Sequence, residues 1–180
     1  PAEVMVRDRI RAQYPDGPHD AESMAIHPDG SIYILTKNFQ RRGFRVSVGP
    51  ARLYKLTRNQ WRNPKKPVQI MEPVAILDFA KLLPGSLPGG RLPTGMDISP
   101  DGKRALVLTY QDAVEFLVDW STLTTTGEWK EGQHYRRIPL RILPQQEAIA
   151  YTPDGQAFIY TTERMAASAG IARVQCRIHH

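Results

Sequence analysis

Short runs of alternating apolar and polar residues recur along this chain, and Pro, Asp and Gly punctuate them. Side chains in a strand point alternately to its two faces, so this is the pattern of half-buried β-strands joined by tight turns. The clearest example begins at Asp20. Glu22–His27 predicts one strand, Pro28-Asp29-Gly30 a turn, and Ser31–Lys37 a second strand rich in β-branched and aromatic residues. The arrangement returns at Met96–Ser99, Pro100-Asp101-Gly102 and Arg104–Tyr110. It returns again at Ala148–Thr152, Pro153-Asp154-Gly155 and Ala157–Thr162. Aligning the turns puts Glu22, Thr94 and Glu147 at equivalent positions, each seven residues before the turn aspartate.

Further strands follow each pair. Ala51–Thr57 and Val74–Phe79 complete a first set of four, and Ala113–Asp119 and Arg136–Leu140 complete a second. Ile171–Cys176 gives a third set only three strands. Four short strands in succession describe one propeller blade, so the expected fold is all-β: a β-propeller portion of about three blades. The blades are expected at 19–80, 81–141 and 142–180, the last lacking its outer strand. Residues 1–18, with an alternating run at Val4–Ala12, are expected to supply the outer strand and turn of a preceding blade. Propellers close with about four to eight blades. The missing blades are therefore expected from upstream sequence, a second copy or another chain.

Charge adds an asymmetry. The net charge is +6, yet Lys37–Lys66 holds ten basic residues and no acidic one, leaving 14 basic and 18 acidic residues elsewhere. Such segregation creates a local positive field that attracts an anionic ligand or an acidic protein partner. Phe39, Phe44, Tyr54 and Trp61 interleave with the charge, but no nucleic-acid-binding module accompanies them, so nucleic acid is not an expected partner. No apolar run approaches the roughly 20 residues of a transmembrane helix. A single cysteine, Cys176, excludes an internal disulfide and reads as a small buried apolar residue.

In sequence order, the chain resembles the bacterial β-propeller family described as esterase-like activity of phytase. The residues that carry the resemblance are Tyr14-Pro-Asp-Gly-Pro-His-Asp-Ala-Glu22, Thr36-Lys37, Ala51-Arg-Leu-Tyr-Lys-Leu56, Thr94-Gly-Met-Asp-Ile-Ser-Pro-Asp-Gly102, Thr109-Tyr110, Gln146-Glu-Ala-Ile-Ala-Tyr-Thr-Pro-Asp-Gly155 and Thr162-Glu163. The resemblance implies an extracytoplasmic (periplasmic or secreted) protein and hydrolysis of phosphoric or carboxylic esters. A weaker resemblance runs to gluconolactonase-like propellers, which share the turn.

First strands line a propeller's channel, and loops at one end usually build its site. Asp20, Glu22, Asp97 and Glu147 fall on or just before first strands, where convergent carboxylates need a shared cation or proton; Ca²⁺ is the expected metal. The competing expectation makes Glu22 and Glu147 structural pins that accept bonds from backbone amides of neighbouring blades. Lys37, Tyr110 and Glu163 end second strands and can face the same mouth. Lys37 and Tyr110, with Arg41, Arg42 and Arg45 of the basic loop, are the candidate ligand-binding residues, and Lys37 is the phosphate candidate; a snorkelling surface lysine is the alternative. Asp29, Asp101 and Asp154 are expected to close local turns. No serine-hydrolase elbow, zinc motif or phosphate loop is present, and His19, His27 and His134 stand isolated in the sequence. Two functions stay open: a binding or scaffold module for an anionic ligand or protein partner, and a calcium-assisted ester hydrolase.

Overall fold

The computed structural model describes residues 9–117, 120, 129–163 and 170–176, apart from the side chains of 41, 42, 45 and 46. Every predicted strand pair from residue 20 onward is present. The first blade is an antiparallel sheet of β2 (Asp20–Ile26), β3 (Ile32–Lys37), β6 (Ala51–Leu56) and β8 (Glu72–Leu77). The second is β9 (Pro93–Ile98), β10 (Ala105–Thr109), β11 (Asp112–Phe116) and β12 (Tyr135–Pro139); the third is β13 (Gln146–Tyr151), β14 (Ala157–Thr162) and β15 (Ile171–Gln175). Strand β9 lies between β2 and β13, so the three first strands stand side by side along one inner edge. Consecutive antiparallel blades with adjacent first strands make this a β-propeller portion.

Alternation decides what fills the gaps between blades. Tyr33, Leu35, Leu53 and Leu77 face Met96, Val107, Val114 and Phe116 across the first gap. Across the second, Leu106, Leu108 and Ala113 face Ile149, Tyr151, Phe158 and Tyr160. Strands β10 and β11 are buried along their whole length because their sheet is covered on both faces. The outer faces of the end blades keep apolar residues in solvent, with Met24, Ile26 and Ile76 on the first and Ile159 and Ile171 on the third.

The three repeated Pro-Asp-Gly turns are closed locally as expected: Asp29, Asp101 and Asp154 accept from the backbone N–H of Ser31, Lys103 and Gln156. The turns also join the blades. His27 Nε2 lies 3.3 Å from the Gly102 carbonyl, and Arg104 Nη2 donates to the Gly155 carbonyl at 2.9 Å. His27 is therefore an inter-blade tether, not an isolated side chain. A Cβ at Gly102 would come within 2.6 Å of the His27 ring, at a φ of +74°. Gly102→Ala is expected to destabilise the chain by about 1–3 kcal/mol in urea unfolding, from the left-handed backbone and the displaced imidazole together. A loss below about 0.5 kcal/mol would show that the tether yields freely.

Four features differ from expectation. The described part of the N-terminal run, β1 (Arg11–Gln13), pairs in parallel with β7 (Val68–Ile70), the segment leading into β8. It attaches to the first blade where a place in a preceding blade was expected; residues 4–8 of that run lie outside the described residues. The basic loop is a hairpin, β4 (Phe39–Arg42) and β5 (Arg45–Val48), turned by Gly43 at φ +60°. Helix α1 (Arg58–Arg62) follows β6, held by a capping box in which the Thr57 hydroxyl accepts from the Gln60 N–H and Gln60 Oε1 accepts from the Thr57 N–H. A second short helix, α2 (Phe79–Leu82), is capped by Asp78. Among the described residues no helix is long and apolar enough to cross a membrane.

Candidate functional site at the axial mouth

Glu22, Thr94 and Glu147 occupy the same structural position, and the reason is a β-bulge repeated in every blade. Pairing runs Ala21–Thr36 and then Ser23–Leu35, so Glu22 is the extra residue. Thr94 is skipped between Pro93–Thr109 and Gly95–Leu108, and Glu147 between Gln146–Thr162 and Ala148–Thr161. A bulge re-aims the side chain of its extra residue and is a recurrent device beside functional sites. Directly after the paired threonines Thr36, Thr109 and Thr162 come Lys37, Tyr110 and Glu163, so each blade presents two side chains at the same end.

These residues form one hydrogen-bonded line across three blades. Lys37 Nζ donates to Glu22 Oε2 within the first blade and to Tyr110 Oη of the second at 3.3 Å. Tyr110 donates to Glu147 Oε1 of the third at 3.0 Å. The Lys37 side chain is only 10% exposed, which rules out the snorkelling surface lysine. Burial alone would push its pKa down, but the bonds and charges of Glu22 and Tyr110 outweigh it and hold the ammonium above its ordinary value. Two of its three N–H donors are used by these partners. Glu147 is half-buried, and burial lifts its pKa; the nearby Glu22 and Glu163 charges add to the rise, while the Tyr110 bond and Lys37 oppose it. In the middle blade Thr94 is buried, and its hydroxyl has no hydrogen-bond partner among the described residues.

Four carboxylates were expected to share a cation, and they are not gathered into one ligand set. Asp97 Oδ1 accepts from the backbone N–H of its neighbour Ile98 at 2.9 Å, and its Oδ2 accepts from the Tyr151 N–H at 2.7 Å, which ties the second blade to the third. The pin role expected of Glu22 and Glu147 thus falls to Asp97, and burial raises the Asp97 pKa. Asp20 is exposed at the start of β2. Glu22 is neutralised by the Lys37 ammonium, which a calcium ion would have to displace. Ca²⁺ takes about six to eight oxygen ligands, and among the described residues no three His, Cys, Asp or Glu side chains come together in that way. Among the described residues the side chains at the mouth do not assemble a calcium site. The side chains of Arg41, Arg42 and Arg45 lie outside the described residues, as do His179 and His180.

A second polar cluster escaped the sequence reading. Asp16 Oδ1 accepts from the Tyr54 hydroxyl at 2.6 Å and lies 3.0 Å from His19 Nε2, while Arg52 Nη1 donates to Asp16 Oδ2. Tyr14 packs against both the His19 and Tyr54 rings. The Tyr54 and His19 bonds hold the Asp16 carboxyl down at about 2, and burial with the Asp16 bond pushes the Tyr54 phenol up to about 12. A phenol so hard to ionise makes a poor nucleophile, and the cluster reads as the lock that fastens residues 14–19 onto the first blade. The visible clue was a Pro-Asp-Gly turn with no strand after it, which leaves its aspartate free for another partner. Cys176 is half-buried beside the second core, and burial raises its thiol pKa.

No protein-family profile matches the chain, and no curated protein does. Among solved structures the chain is similar to a protein assigned as a 6-phosphogluconolactonase from Bacteroides uniformis, with TM-score 0.48 and 17% identity, covering 93% of this chain and 41% of that one. Kuenenia stuttgartiensis hydrazine synthase gives TM-score 0.42 and 11% identity over 96% and 49% of the two chains. A gluconolactonase from Xanthomonas campestris gives 0.42 and 16% over 82% and 39%. The chain spans less than half the length of each of these proteins.

Proposed function

We propose that the axial mouth is the site of a hydrolase that cleaves small carboxylic esters, lactones included. The observation that carries the reading is the Glu22–Lys37–Tyr110–Glu147 line: a part-buried ammonium and a half-buried carboxyl of raised pKa, delivered by three blades to one place. Perturbed titrating groups in such a setting are typical of acid–base sites. Glu147 takes a proton from water as the water oxygen bonds to the ester carbonyl carbon. The third N–H of Lys37 donates to the oxyanion that forms. The carbon–oxygen bond to the leaving group then breaks, and Glu147 returns its proton to the departing oxygen. The acid product ionises to solvent.

Phosphoric esters fit less well. Among the described residues one cation, Lys37, shares the mouth with Glu22, Glu147 and Glu163, and this net negative charge repels a phosphate dianion. Phosphoryl transfer also needs charge neutralisation of several oxygens at once. The reading keeps the ester hydrolysis implied by the sequence motifs and leaves out calcium. It also keeps further blades, from this or another chain, packed on the exposed apolar faces of the first and third blades, and an extracytoplasmic setting.

The test is turnover of p-nitrophenyl acetate, a six-membered lactone and p-nitrophenyl phosphate, each with and without EDTA. Hydrolysis of the first two, unchanged by EDTA, with none of the phosphate, is the expected result. No carboxylic-ester or lactone turnover above the uncatalysed rate would sink the proposal. A second reading, an anionic-partner module, is favoured by one observation: the hairpin that carries Arg41, Arg42 and Arg45 also holds Phe44 fully exposed beside its turn.

A further inference from the structure

The pairing of β1 with β7 brings together two basic segments that the sequence keeps more than fifty residues apart. Arg11 pairs with Val68, which places Arg9 and Arg11 beside Lys65 and Lys66. Between them lies an open cleft of about 440 Å³, lined by Arg9, Ile10, Arg11, Pro64, Lys65, Lys66 and Pro67. Four of the seven lining residues are cationic and none is acidic. Among the described residues, no carboxylate pairs with any of the four cations.

The cleft is partly pre-organised. Pro64 and Pro67 fix φ on either side of the two lysines and, with Ile10, give the wall an apolar surface. Gln69 Nε2 donates to the Lys66 carbonyl at 2.6 Å, fastening the turn to β7. Four cations around one cleft, with no acidic residue in its lining, make a local positive potential that attracts an anion. The volume suits a small ligand. Neutralising four charges in that space calls for dense negative charge, and Arg forks match phosphate oxygens in pairs.

We propose that this cleft, on the outer side of the first blade, binds a compact polyanion bearing two or more neighbouring phosphate groups. The site is separate from the axial mouth, where negative charge prevails, and the proposal does not depend on hydrolase activity. It is also distinct from the β4–β5 hairpin, because the Pro64–Pro67 turn is reached only after β6 and α1.

Isothermal titration with inorganic tripolyphosphate, free of divalent cations, tests the site on the 180-residue chain. Citrate serves as the carboxylate comparator. Tripolyphosphate is expected to bind in one-to-one ratio, more tightly than citrate, and to weaken as salt rises from 0.05 to about 0.15 M. Lys65 and Lys66 are exposed, so Lys65→Glu with Lys66→Glu leaves the fold intact and is expected to weaken binding at least tenfold. Arg41→Glu with Arg42→Glu and Arg45→Glu on the hairpin is expected to change it less than twofold. Equal binding by wild type and the Lys65/Lys66 variant would overturn the site. So would loss confined to the hairpin variant, and citrate binding as tightly as tripolyphosphate would overturn the phosphate assignment.

Discussion

Glu147→Gln is expected to lower kcat for carboxylic esters by about 10²–10⁴-fold, the usual contribution of a positioned general base, while leaving the melting temperature within a few degrees. The amide has the shape of the carboxylate, and its oxygen can still accept from Tyr110, so the inter-blade line persists without its base. The pH profile gives an independent check. Burial and the Glu22 and Glu163 charges raise the Glu147 pKa, and only the ionised form takes a proton from water. Activity should therefore fall on the acid side with a midpoint above the ordinary glutamate range. Glu22→Gln removes a neighbouring negative charge and leaves the Lys37 charge unneutralised. Both changes favour ionised Glu147, so the acid limb should move to lower pH. A limb at ordinary carboxylate pH that Glu22→Gln leaves in place would assign the base elsewhere, as would near-wild-type turnover by Glu147→Gln.

The strands were legible because each gap between blades demands alternation, and the Pro-Asp-Gly triplet marks where alternation stops. Even the bulge left a trace. Glu22, Thr94 and Glu147 align at a constant distance from the turn, although nothing in a single strand says that its residue is unpaired. The two helices were not legible from periodicity, since α1 and α2 span five and four residues and complete barely one turn each. Thr57-x-x-Gln60 was nevertheless a readable capping box. The parallel pairing of β1 with β7 had no local marker at all: it joins segments whose partners are set by tertiary packing.

The candidate site was half legible. Periodicity placed Lys37 and Tyr110 at the ends of second strands and Glu22 and Glu147 on first strands. It could not say which carboxylate faces a cation and which faces backbone. Asp97 shows the difference. It stands three residues past the bulge, so it turns to the Tyr151 N–H and becomes a blade tether. His27 and His19 looked isolated because their long-range partners, the Gly102 carbonyl and the Tyr54 hydroxyl, come from 75 and 35 residues away.

Removing the Arg104 side chain is expected to cost more stability than any axial substitution. Arg104 Nη1 reaches Glu115 Oε1 at 3.2 Å, its Nη2 donates to the Gly155 carbonyl, and its guanidinium lies over the Tyr151 ring at 5.2 Å. Tyr151 in turn donates to Glu115. The Glu115 side chain is 7% exposed and that of Arg104 21%, so the pair is largely withdrawn from water. Deleting one member of a buried pair typically costs about 3–5 kcal/mol, because the charge left behind loses its countercharge while it stays withdrawn from solvent. Arg104→Ala should show a loss of that size in urea unfolding. Arg104→Met with Glu115→Gln should recover a good part of it, since the glutamine still accepts from Tyr151 and no lone charge remains. A loss below about 1 kcal/mol for Arg104→Ala, or no recovery in the double variant, would refute the buried-charge account. The position of the defect is a further test. The Gly155 carbonyl belongs to the turn between β13 and β14, so amide exchange in Arg104→Ala should quicken first in the third blade. Strands β3 and β6, held by the first inter-blade core, should keep their protection until the whole chain unfolds.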